Sequence, residues 1–296
     1  MPRTQAEEAM AEGERLELAG ETTRAREAYR RARMLFHEQG DAGGEAQALV
    51  QLGDLETRMG HYETAREAFV EARGLFAPTA DQRDQGAILT RLGELAHRQR
   101  NLAEARQFYQ SARELLDSAS DASGEAHVLK RLAHLERDEG RQDLALDRYR
   151  AAIALYRRVG DGLGVANATR HLASLYRELG QTDRAHDCFQ EAIRLYQEAG
   201  DTLGEAAATV GLGHVLKHNG DQAAACRKLE KAASLYSAAG NLAAEADVLV
   251  ELGHLLAPTE RGRARHHFEH AAKLFAQLGA VERAERADRD AKALRD

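Results

Sequence analysis

Basic side chains return at a fixed interval along this chain. Arg91, Arg131 and His171 stand forty residues apart, as do Lys130 and Arg170, and as do His97, Arg137, Arg177 and Lys217. A guanidinium presents a rigid fork of donors that fits a carboxylate or phosphate, each charge-assisted bond being worth about 1.5–3 kcal/mol. Four histidines, His97, His127, His134 and His171, lie among these cations, and the acids nearby, Glu94, Asp138 and Glu178, are fewer. Gathered on one concave surface, such residues focus a field and recruit negative charge. The candidate binding residues are therefore Arg91, Lys130, Arg131, His134, Arg137, Asn167, Arg170, His171, Arg177 and Lys217. Arg131, Arg170 and Arg177 lead that set, and the Asn167 amide could bracket a peptide backbone. A blander reading stands beside this one: a solvated helical face neutralised locally, for instance Arg91 by Glu94, where a surface pair contributes only about 0–1 kcal/mol.

Other chemistries are less well served. His214 and His218 stand four apart, as do His266 and His270 with His267 beside them, a spacing that can bring two imidazoles to one metal. Zinc needs further ligands, and the H-E-x-x-H arrangement is missing, so these read as solvent-facing polar fillers. His134 and His171, if unperturbed, would gain charge near pH ~6.5 and make a groove pH-sensitive. Cys188 and Cys226 read as small packing residues. Gly124, Gly164 and Gly204 follow no strand and form no Gly-x-Gly-x-x-Gly, so no phosphate cradle is expected. Tyr156, Tyr196 and Tyr236 share one column and read as packing between repeats. No catalytic constellation, cofactor or metal is expected.

Composition narrows the class further. The chain has 296 residues, a formal net charge of −7, no Trp and two Cys. Net acidity argues against coating nucleic acid through overall charge. Two cysteines fit a reducing compartment and no disulfide framework. The N-terminus runs straight into charged helix without the apolar core of about 7–15 residues that a signal peptide needs. No run approaches the roughly 18 apolar residues that cross a bilayer. A cytoplasmic, soluble protein is the expectation, with no membrane partner.

The elements that must position these residues are helices in a forty-residue repeat. Gly160 to Gly200 holds two amphipathic patterns joined by one turn, and the same columns recur throughout. Asp41, Asp121, Asp161 and Asp201 are placed to cap first helices, with Glu45, Glu125 and Glu205 in the opening turns. Gly60, Gly140, Gly180 and Gly220 supply the left-handed residue that ends those helices. Leu49, Leu52, Gly53 and Leu55 trace one apolar face, and Ala65, Phe69, Ala72 and Leu75 trace its partner, with Phe69 filling the space beside Gly53. Ala77-Pro78-Thr79 should break the second helix of its repeat. Pro258 should shorten the last first helix, with Thr259–Gly262 as its turn. Val281–Arg295 reads as a polar capping helix.

Leu49, Leu52, Gly53, Ala65, Phe69 and Ala72 resemble the tetratricopeptide signature, repeated seven times from about Ala6 to Leu278. The forty-residue variety is similar to the arrays of Pins-type G-protein-signalling scaffolds and of bacterial regulators that sense peptides. The resemblance implies an all-α, right-handed solenoid of seven repeats in a single domain, 1–296. The repeats fall at about 5–39, 42–79, 82–119, 122–159, 162–199, 202–239 and 242–278, with a capping helix at 280–295. It also implies first helices lining the concave face, and an interaction scaffold instead of an enzyme. The expected ligand is an extended acidic or carboxylate-ended peptide segment. The alternative is a peptide-sensing regulator whose superhelical pitch changes on binding. Self-association through the repeat ends is a further expectation; nucleic acid is not.

Overall fold

The structure, a computed structural model, describes residues 4–76 and 82–294. Fifteen α-helices and no strand occur among the described residues. The chain divides into two compact units, residues 1–155 and 156–296, with one helix running through the division.

The first unit holds α1 (Gln5–Leu18), α2 (Thr22–Glu38), α3 (Ala42–Arg58), α4 (Tyr62–Phe76), α5 (Gln82–Arg98), α6 (Leu102–Ser118), α7 (Ala122–Asp138) and most of α8 (Gln142–Val159). The second holds α9 (Gly162–Glu178), α10 (Thr182–Ala199), α11 (Thr202–His218), α12 (Gln222–Ala238), α13 (Leu242–Leu256), α14 (Arg261–Gln277) and α15 (Val281–Lys292). From α1 to α7 and from α9 to α15 each helix packs on the next, and first helices also touch across repeats, α3 on α5, α5 on α7 and α9 on α11. These are seven helix pairs and a closing helix.

Local chemistry sets the boundaries. Asp41, Asp121, Asp161 and Asp201 each accept from the amide three residues on, at 3.0, 3.0, 2.7 and 2.8 Å, satisfying a donor the helix leaves free. The joints fall on residues with positive φ at a twenty-residue interval: Gly20, Gly40 and Gly60, then Gly140 through Gly240. Arg100 and Ser120 take the same left-handed conformation, at φ 62° and 55°.

Packing follows the small-to-large pairing read from the sequence. A Cβ on Gly53 would stand 2.5 Å from the Phe69 ring, and one on Gly93 the same distance from Tyr109. Gly164 and Gly204 are similarly filled by Tyr156 and Tyr196, so two of the three tyrosines do pack against the next first helix. The first-unit core joins Leu49, Phe69, Leu92, Tyr109 and Leu132; a core of the second joins Leu229, Leu252, Phe275 and Ala287. Cys226 is buried within the latter, and Cys188 is half-buried.

Two boundaries differ from expectation. Arg261 and Gly262 already belong to α14, because Glu260 and Thr259 turn the chain by bonding back to the Leu256 carbonyl. The capping helix ends at Lys292, and Arg295 lies outside the described residues. Ala77, Pro78 and Thr79 lie outside them too; α4 ends at Phe76 and α5 opens at Gln82.

Candidate functional site

First helices carry the candidate side chains, and an offset of thirty-seven residues decides who meets whom. A residue on one first helix faces the residue one turn before its forty-residue counterpart on the next. In the first unit this offset sets acids against bases. Arg91 Nε reaches both Asp54 carboxylate oxygens, at 3.0 and 2.9 Å. Arg131 Nε lies 2.5 Å from Glu94 Oε1, and His127 Nε2 lies 3.2 Å from the same oxygen. The local partner of Arg91 is thus Asp54, and Glu94 answers Arg131. Burial pushes the Asp54 carboxyl up, against the pull of Arg91. Burial also works against Glu94, but the His127 hydrogen bond and the Arg131 charge outweigh it and hold that carboxyl low. A cavity of about 370 Å³ opens beside these residues, and its walls carry both signs.

His134 is spoken for as well. Its Nδ1 lies 2.9 Å from the Tyr149 hydroxyl, and its ring stands edge-on to that of Tyr149. Burial first, then the charges of Arg131, Lys130 and Arg137, drive its pKa down to about 3. His134 is therefore neutral throughout the physiological range and is no pH sensor for a groove. Lys130 and Arg137 are half-buried on the same helix.

The second unit differs. Arg170 Nε donates to the Tyr196 hydroxyl at 3.3 Å, and its Nη2 lies 3.1 Å from His171 Nε2. Tyr196 in turn donates to Asn167 Oδ1 at 2.9 Å, and the Asn167 amide donates to the Leu163 carbonyl at 3.0 Å. Asn167 thus orients Tyr196 and, through it, Arg170. Arg177 Nη1 lies 3.0 Å from His214 Nδ1, and the opposite edge of that ring meets Glu251 at 2.8 Å. Lys217 stands 3.7 Å from the same Glu251 carboxylate. Among the described residues, neither Arg170 nor Arg177 pairs with a carboxylate, and Arg177 Nε is buried with no hydrogen-bond partner. Both guanidiniums are held by side chains other than carboxylates, which fix their direction. Asp54, His214, Glu251 and Tyr196 were not among the candidate binding residues. An offset of thirty-seven finds the first three, joining Asp54 to Arg91, Arg177 to His214 and His214 to Glu251, as it joins Glu94 to Arg131; Tyr196, twenty-six residues from Arg170, lies outside that signal.

Comparison with known proteins agrees with this construction. The tetratricopeptide repeat family model matches residues 84–158 and 124–198. A soluble NSF attachment protein model matches 165–294, and an anaphase-promoting complex subunit 5 model matches 35–98. No curated protein matches the sequence. Among solved structures, BtubC (BKLC) from P. vanneervenii superposes with a TM-score of 0.62 at 21% identity, covering 80% of this chain and 93% of that one. A signal transduction ATPase with a tetratricopeptide repeat sensor, from Pyrococcus horikoshii, gives 0.71 at 17% identity, with 98% of this chain but only 47% of that protein covered. A Rap protein complexed with competence and sporulation factor gives 0.62 at 13% identity, covering 98% and 97%. Stacked helix pairs with a closing helix define a helical repeat protein. This chain is a tetratricopeptide-repeat protein. Among the described residues, no helix is long and apolar enough to cross a membrane.

Proposed function

We propose that the chain is a peptide-binding scaffold that takes an extended acidic or carboxylate-ended segment on the first-helix face of its second unit. The observation that carries this reading is the pair Arg170 and Arg177, half-buried, oriented by Tyr196, His171 and His214, and unmatched by any described carboxylate. Partly desolvated arginines held in place contribute more per contact than mobile surface charges. The Rap neighbour, whose ligand is the competence and sporulation factor, supports the same direction. Arg91, Lys130, Arg131 and Arg137 supply steering rather than clamping in this scheme, because two of the arginines are already answered, and the neutral His134 supplies neither. Asn167, His171 and Lys217 position or flank the two clamping residues.

Fluorescein-labelled deca-glutamate tests the reading by anisotropy. Binding should weaken as salt rises and should be lost in Arg170→Glu, with deca-lysine failing to bind. Equal affinity of the wild type and Arg170→Glu for deca-glutamate refutes the site. A ligand-sensing form of this proposal is favoured by the coverage of the Rap structure; it expects the radius of gyration in solution scattering to change when the peptide saturates.

A further inference from the structure

Arg170 and Arg177 stand seven residues apart on α9, so they share one face and are separated by about 10.5 Å along the helix axis. Ser174 lies between them, its hydroxyl turned back to the Arg170 carbonyl at 3.1 Å, and so offers no competing charge. Asp201, whose charge acts on Tyr196, uses an oxygen to cap Gly204. The two guanidinium heads therefore act as two anchored positive points, with the nearby Glu251 carboxylate engaged by His214 and Lys217. A ligand that satisfies both must present its negative groups at a matching pitch and on one side.

We infer that the strip selects segments carrying two carboxylates three residues apart, Glu/Asp-x-x-Glu/Asp, lying along α9 in the polyproline II conformation. That conformation has three residues per turn and rises about 3.1 Å per residue, so positions i and i+3 face the same way about 9.3 Å apart. A β-strand alternates sides, so its i and i+3 carboxylates point apart, while i and i+2 are too close at about 6.7 Å and i and i+4 too far at about 13 Å. A short free peptide pays a nucleation cost to become helical and almost none to be extended. This inference rests on the peptide-binding reading above and adds a spacing rule to it.

Twelve-residue amidated peptides in a Ser/Pro background decide the matter, with two Glu separated by two, three, four or seven positions and controls bearing one Glu or none. Anisotropy should show the three-apart peptide binding at least tenfold tighter than the two-apart, four-apart and single-Glu peptides. In Arg177→Ala, and in Arg177→Gln should the former fold poorly by circular dichroism, that preference should vanish and the three-apart peptide should fall to single-Glu affinity. Equal binding of all two-Glu peptides, or preference for the seven-apart peptide, overturns the spacing rule while leaving the acidic-peptide reading intact. If neither these peptides nor deca-glutamate bind in a Glu-dependent way, both fall together.

Discussion

The first-helix faces of the two units carry the same kinds of side chain and differ in what answers them. In the first unit, Arg91 meets Asp54 and Arg131 meets Glu94, so charge is settled inside the protein. In the second, Arg170 meets a tyrosine and a histidine, and Arg177 meets His214, so geometry is settled but charge is not. A row of arginines in an alignment is therefore no binding site by itself. What matters is whether the residue thirty-seven positions away on the neighbouring first helix is an acid.

The largest expected effect tests that contrast directly. Arg170→Glu with Arg177→Glu should weaken deca-glutamate about a thousandfold or more, two charge-assisted contacts of about 1.5–3 kcal/mol each being lost and repulsion added. Arg91→Gln should change the same affinity less than about threefold. Comparable losses from the two would erase the distinction between the units.

A smaller effect sharpens the contrast through pH. His134 in the folded chain binds its proton only near pH 3, against about 6.5 when unfolded. Between those values the unfolded chain holds more protons, so stability is fully present above about pH 6.5 and declines, by a few kcal/mol at most, as pH falls toward 3. Urea unfolding of His134→Gln should show a shallower pH dependence over that window than the wild type; identical slopes would mean that another group governs acid unfolding.

Smaller again is the effect of releasing a cation in the first unit. Glu94→Gln leaves Arg131 without its carboxylate and should improve deca-glutamate binding about three- to tenfold, which anisotropy reads at low salt. No gain would show that Arg131 lacks access to ligand.

The smallest effect concerns the joints, which also separate the units. Every joint from Gly160 to Gly240 is glycine, whereas the first unit places Arg100 and Ser120 in left-handed geometry. An L side chain pays about 1 kcal/mol there, so Arg100→Gly and Ser120→Gly should each raise stability by roughly that amount or less in thermal melts. Destabilisation would mean the side chains make contacts worth more than the strain.

The repeat, its caps and its small-to-large packing were all legible in the sequence, because they depend on local chemistry recurring in fixed columns. Asp161 caps, Gly180 reverses and Gly53 admits Phe69 for reasons that need no knowledge of the rest of the molecule. The site was legible only in part. Columns gather Lys130 with Arg170 and Arg131 with His171, yet a column compares like positions, and contact across neighbouring helices joins unlike ones. Glu94 sits opposite Arg131, whereas His214 sits opposite Arg177. Asn167 looked free to meet a ligand because nothing local declares that Tyr196, a packing residue by column, also carries a hydroxyl that needs a partner. The burial that depresses His134 is likewise a tertiary fact.

The regular beat of the joints bears on how such a chain changes length. Cutting at two left-handed glycines forty residues apart, as at Gly160 and Gly200, removes one whole module and leaves ends of matching backbone conformation. Insertion of an extra module between them meets the same condition. Recombination between repeats can thus lengthen or shorten the protein without inventing a new loop, and selection is left to act only on whether the side chains newly brought side by side agree.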